Sequence, residues 1–111
     1  MNDYLIFYAI KLLSKKEKKS IEESLLSKFL IKLNKRGINL TPVIMGANGL
    51  STPYLKYTLQ DYLIYHIIKW SSPIELTEEG EQYIDEKIKI LTEQPGFSEY
   101  KQNFQEVLSD I

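Results

Sequence analysis

The stretch Ser72-Pro-Ile-Glu-Leu-Thr-Glu-Glu-Gly-Glu-Gln-Tyr-Ile84 restricts the possible folds more than any other part of the chain. A short β-type run, Ile74–Leu76, leaves a turn at Trp70-Ser-Ser-Pro73 and stops at Thr77. Thr77 can cap a helix, and Glu78 and Glu79 then fall in the first turn, where carboxylates complement the exposed N–H groups. Gly80 weakens the intrinsic helix preference of that turn, which predicts a packing reason for its small size. Tyr83, Ile84, Lys87, Ile88 and Leu91 continue the helical pattern until Pro95-Gly96 ends it. The step from strand to capped helix therefore predicts a mainly α fold with a minor β component, the plain helical bundle being the alternative.

The rest of the chain supplies more helices. Leu5, Tyr8, Ala9 and Leu12 recur at helical spacing over residues 3–14, with Ile6, Ile10 and Leu13 beside them, so this helix is expected to be buried on several sides. Asp3 is its expected cap, and Lys15–Lys19 read as a polar connection. Ser20-Ile-Glu-Glu23 has the capping-box form and opens a second helix with Ile21, Leu25, Phe29, Leu30 and Leu33 on one side and Gly37 at its end. Residues 38–50 are too broken by Pro42, Gly46 and Gly49 for a helix; they predict an ordered loop with one short strand or turn. A third helix is expected to be capped by Ser51 or Thr52, to start at Pro53 and to run to Ile68. Leu55, Leu59, Tyr62, Leu63 and His66 would lie along its inner side. Phe97, Tyr100, Phe104, Val107 and Leu108 mark a last amphipathic helix.

At 111 residues, 43% hydrophobic and 26% charged, the chain suits one globular domain. It contains no cysteine, which removes disulfides, thiol nucleophiles and thiolate metal sites. No apolar run is long enough to span a bilayer, so no membrane association is expected and the expected location is cytoplasmic. The net charge of −1 hides an uneven distribution. Residues 1–60 hold ten Lys/Arg against four Asp/Glu, whereas residues 61–111 hold four against eleven. A basic binding face with an acidic appendage would give this pattern, as would two halves that neutralise each other on packing.

The order of helices, the brief strand–turn–strand and Leu76-Thr-Glu-Glu-Gly80 together resemble the winged helix–turn–helix domains of small prokaryotic and phage regulators, in which a Leu-Thr-x-x-Gly step ends the wing and opens the next helix. More narrowly, Gly49-Leu-Ser-Thr-Pro-Tyr-Leu-Lys-Tyr-Thr-Leu-Gln-Asp-Tyr-Leu63 resembles the Panacea group of antitoxin SocA-like and phage-associated proteins. That group carries Gly-Pro-Tyr-Ser where this chain has Gly49-Leu-Ser-Thr-Pro-Tyr54. The resemblance implies a winged-helix domain over residues 1–94, with a short β-hairpin, followed by an extra C-terminal helix over 95–111. It also implies double-stranded DNA as partner and gene regulation as function, with the third helix reading the major groove. Ser51, Thr52, Tyr54, Lys56, Tyr57 and Gln60 would then face the groove and Lys69 would sit on the wing. Gln60 can address adenine, and Lys56 a phosphate or guanine.

Catalytic material is sparse. His66 is the only histidine and its spacing predicts a partly buried structural role, while Glu78, Glu79 and Glu81 read as helix-start carboxylates. Gly46-Ala-Asn-Gly49 lacks the lysine of a phosphate loop. No enzyme activity, metal or cofactor is expected. The alternative function is a protein–protein module of adaptor, antitoxin-like or inhibitor type, because eight tyrosines and a tryptophan give amphipathic contact surface. The stripe Phe97, Tyr100, Phe104 and Leu108 would serve as a homodimer interface or complete the core of the monomer.

Overall fold

A computed structural model describes residues 2–111. Along the chain run α1 (Asn2–Glu17), β1 (Ser20–Ile21), α2 (Glu23–Lys35), β2 (Ile44–Gly46), β3 (Gly49–Ser51), α3 (Leu55–Ile64), β4 (Ile68–Ser71), β5 (Ile74–Leu76), α4 (Glu78–Thr92) and α5 (Phe97–Ser109). The fold is mainly helical with small antiparallel sheets. No helix among the described residues is long and apolar enough to cross a membrane.

Helix α1 is the hub. Every residue from Leu5 to Ile10 is buried, and so is Leu13, because α4, α2, α5 and β1 all pack against it. A helix apolar all round belongs in an interior, and Ala9 leaves room for close approach. The helix continues through Lys16-Glu17 before reversing at Lys18 and Lys19, both at positive φ (58° and 104°). Ser20 then pairs with Glu75 and Ile21 with Ile74. The expected capping box is therefore absent: Ser20 lies in β1, and Glu22 starts α2 without a side-chain cap. Strand pairing has overridden a local signal. At the other end α2 closes as expected, with Gly37 at φ 85° and the Ile38 N–H donating to the Leu33 carbonyl at 3.0 Å, the pattern of a Schellman cap.

The main sheet has the order β1-β5-β4, all antiparallel. Ile21, Ile68, Ile74 and Leu76 turn inward onto the core. A second, two-stranded ribbon, β2–β3, pairs Ile44 with Ser51 and Met45 with Leu50. It occupies the connection of residues 36–54, where the sequence predicts a loop with a single strand or turn.

Helix α3 is shorter than its pattern predicts. It starts at Leu55 rather than Pro53, and neither Ser51 nor Thr52 caps it. Thr52 instead shares a hydrogen bond with Ser27 on α2 (Oγ1···Oγ 2.7 Å), which ties the start of α3 to its neighbour. The helix stops at Ile64, and His66 adopts φ 59° as the left-handed residue of a second Schellman cap, with Ile67 N–H donating to the Tyr62 carbonyl at 2.8 Å.

The strand-to-helix step follows from the sequence. The Thr77 hydroxyl accepts from the Gly80 N–H at 2.7 Å, capping α4, and donates to the His66 carbonyl; the Thr77 N–H donates to the Ile67 carbonyl at 3.0 Å. A Cβ on Gly80 would lie 1.8 Å from the Ile67 carbonyl oxygen. Glycine is thus required by backbone-to-backbone contact, and Thr77 binds both sides of the junction.

Helix α5 docks back on α2, α1 and α4. Phe104 is fully buried, edge-on to Phe29 (centroids 5.7 Å) and beside Tyr8 (5.0 Å). The expectation of a dimer interface is corrected for Phe104, which its own chain covers; Phe97 and Leu108 are half-buried on the same core, and Tyr100 is exposed. Charges fasten α4 and α5 to the first half of the chain. Arg36 pairs with Glu106 at 3.1 Å, Lys11 with Asp85 at 3.0 Å, and Lys16 Nζ donates to the Leu108 and Ile111 carbonyls at 3.0 Å. Part of the charge asymmetry between the two halves is thus satisfied within the molecule.

Gly80→Ala is expected to cost about 3 kcal/mol or more, since backbone cannot yield as a side chain would. Thr77→Ala should cost about 1–2 kcal/mol through the lost cap. Urea unfolding of the two variants checks the ranking. Phe104→Ala should lose about 3–5 kcal/mol by the same measurement, as a core deletion does.

Candidate functional site

Two surfaces concentrate chemistry. The first is the outer face of α3. Leu55, Leu59 and Tyr62 point into the core, while the opposite side carries Tyr57 and Ile64, both exposed, together with Lys56 and Gln60, and exposed Tyr54 stands at its start. A surface helix ordinarily shows polar residues there. Trp70 on β4 is 61% exposed, and Met45 on the ribbon that leads into α3 is 71% exposed.

The residues expected to read DNA divide into three groups. Lys56, Tyr57 and Gln60 come together around a shallow depression of about 360 Å³, with Glu23, Leu63 and Ser71 completing its lining. Tyr54 stands beside Tyr57 (centroids 6.3 Å), and the Lys56 ammonium lies 5.1 Å from the Tyr57 ring centroid. Ser51 and Thr52 make hydrogen bonds within the chain: Ser51 Oγ donates to the Ile44 carbonyl at 3.4 Å across the ribbon, and Thr52 shares one with Ser27 on α2. Lys69 lies on β4, where Glu75 offsets its charge at 3.2 Å. The face is open, because α5 packs on α1, α2 and α4. Its charge is mixed, with Lys56 set against Glu23.

The second surface was not legible in the sequence. A half-enclosed cavity of about 730 Å³ opens between the N-terminal part of α1, the end of α3 and the first turns of α4. Its walls include Phe7, Tyr62, Tyr65 and Tyr83, and its carboxylates are Asp3, Asp61 and Glu79. His66 also lines it; the residue is exposed at the helix cap, which corrects the expectation of a partly buried position on α3. The aromatic walls hold one another, Phe7 lying 5.0 Å from Tyr62 and edge-on to Tyr83 at 5.8 Å. Asp3, expected as a cap, accepts the Tyr62 hydroxyl at 2.8 Å. Burial raises the Tyr62 phenol far above its ordinary value, and the hydrogen bond to Asp3 raises it further. The only sequence signal for this site is the recurrence of tyrosine at 62, 65 and 83 near acids, and no single element shows the convergence. Among the described residues no group of three or more His, Asp or Glu side chains is arranged to hold a metal ion.

No protein-family model matches the chain, and no curated protein or solved structure matches it significantly.

The Tyr62 phenol keeps its proton in the folded state at a pH where the unfolded chain, near 10, releases it. Its contribution is present below pH 10 and fades as pH rises above that value. Stability above pH 10.5 is therefore expected to fall by up to about 1.4 kcal/mol per pH unit more steeply in the parent than in Tyr62→Phe. Denaturant midpoints from pH 7 to pH 11 measure both slopes.

Proposed function

We propose that this chain is a small winged-helix-type domain that recognises a protein partner through the outer face of α3, with the adjoining ribbon β2–β3 and Trp70 as flanking contacts. The observation that carries the reading is the large apolar side chains on the outer side of α3: Tyr57 and Ile64, with Tyr54 at its start, face solvent on a helix whose other side already fills the core. Tyr and Trp supply large contact area at low entropic cost and dominate the energetics of protein interfaces. The winged-helix reading is supported by the β4–β5 ribbon following α3, by β1 completing the sheet, and by the Thr77–Gly80 step into α4. It departs from the tight helix–turn–helix in one respect: residues 36–54, with their own ribbon, separate α2 from α3.

DNA binding is the second reading, favoured by Lys56, Tyr57 and Gln60 standing together on an unobstructed face. Duplex recognition draws most of its affinity from phosphate contacts made by Lys and Arg. On this face Lys56 is accompanied by Glu23, and Lys69 by Glu75. Protein recognition needs no such cationic field.

The test places a photoreactive amino acid at Tyr57 and, as a control on α5, at Tyr100, followed by irradiation in the native cells. A discrete protein adduct from position 57 alone, abolished by Trp70→Ala, is the expected outcome. Sedimentation of the purified chain shows whether a second copy is that partner. Duplex DNA retained at about 20 mM salt and released by Lys56→Ala with Gln60→Ala would replace this reading with the regulator.

A further inference from the structure

The cavity at the junction of α1, α3 and α4 lies outside the proposed partner face and has its own chemistry. Its volume, about 730 Å³, falls in the range of roughly 300–1,000 Å³ common to small-ligand sites. Carboxylates arrive from three separate elements: Asp3 from α1, Asp61 from α3 and Glu79 from α4. Among the described residues none of the three forms an ion pair. On this lining His66 alone can carry positive charge. The walls between the acids are the rings of Phe7, Tyr62, Tyr65 and Tyr83, whose faces attract cations within about 6 Å.

The chain already uses that attraction beside the cavity. The Lys87 ammonium lies 4.9 Å from the Tyr83 centroid and 5.8 Å from that of Tyr4. Within the cavity Asp3 is oriented by the buried Tyr62 hydroxyl, so one acceptor is fixed before a ligand arrives. An aromatic wall bordered by carboxylates suits a flat or compact cation on a short carbon chain. The carbon chain covers the rings, and the charged head meets the acids.

We propose that this cavity binds an organic cation of the alkylguanidinium or alkylammonium class, either free or borne on the side chain of another polypeptide. The site is selective for charge, because a neutral isostere gains the ring contacts and forfeits the carboxylates.

Three probes separate the outcomes in NMR titrations that follow the tyrosine ring protons: n-butylguanidinium, N-acetyl-arginine methylamide and neutral n-butylurea. Saturable shifts of Tyr62, Tyr65 and Tyr83 with either cation, and at least tenfold weaker binding of the urea, are expected. The double variant Asp61→Asn with Glu79→Gln, both exposed and so expected to fold normally, should weaken the cations at least tenfold. Tyr57→Ala on the partner face should leave them unchanged, so failure of the partner reading and failure of this one are distinguishable. Tighter binding of n-butylguanidinium assigns a free cation, and tighter binding of the arginine derivative a side chain. Absence of saturable shifts, equal binding of the urea, or an unaffected double variant overturns the proposal.

Discussion

The contact between Gly80 and the Ile67 carbonyl determines how the rest of the molecule is arranged. Because nothing larger than hydrogen fits on Gly80, α4 can press its first turn against the link between α3 and β4. Thr77 then joins that link to α4 with one hydroxyl, donating to His66 and accepting from Gly80. This short step fixes the direction of α4, which lies along α1, and it sets the end of α3, whose outer face carries the exposed aromatics. The cavity has the same origin, since its lining passes directly across the junction.

Around that junction the molecule separates its inner and outer chemistry cleanly. The core gathers on α1 and is closed by Phe104, which packs edge-on against Phe29 and tilted against Tyr8. Ion pairs from both chain halves then lie over its rim, as Lys11–Asp85 and Arg36–Glu106 do. Such exposed pairs contribute modestly, about 0–1 kcal/mol each. They offset part of the charge difference between a basic first half and an acidic second half. Outside the core, exposed tyrosines stand among the charged residues of the surface, and that unused apolar area is the basis for assigning recognition to α3.

The sequence carries much of this in local patterns. Thr77 and Gly80 could be read directly, because a cap and a steric demand are written in adjacent residues. Gly37 likewise announced the end of α2. Ser20 misled, since its capping-box spacing competes with a strand pairing to Glu75 that no local window contains. His66 misled for a related reason: its spacing continues the helix, whereas a left-handed cap after Ile64 turns it outward. The ribbon β2–β3 was hidden in a segment rich in glycine, and the Tyr62–Asp3 bond joins residues far apart in the chain. Periodicity reports which side of an element is apolar; it does not report whether a second copy, a partner or the chain's own tail covers that side. Phe104 shows the cost of that ambiguity.

The hydrogen bond between Ser27 and Thr52 has a consequence for how this domain can vary. It clamps the base of the long excursion between α2 and α3, immediately after the ladder that pairs Ile44 with Ser51. With its neck fastened there, the excursion behaves as a graft site. Its tip, from Met45 to Leu50, can be lengthened, shortened or rewritten while α3 keeps its seat. Length and composition at that tip are thereby separated from the seating of α3.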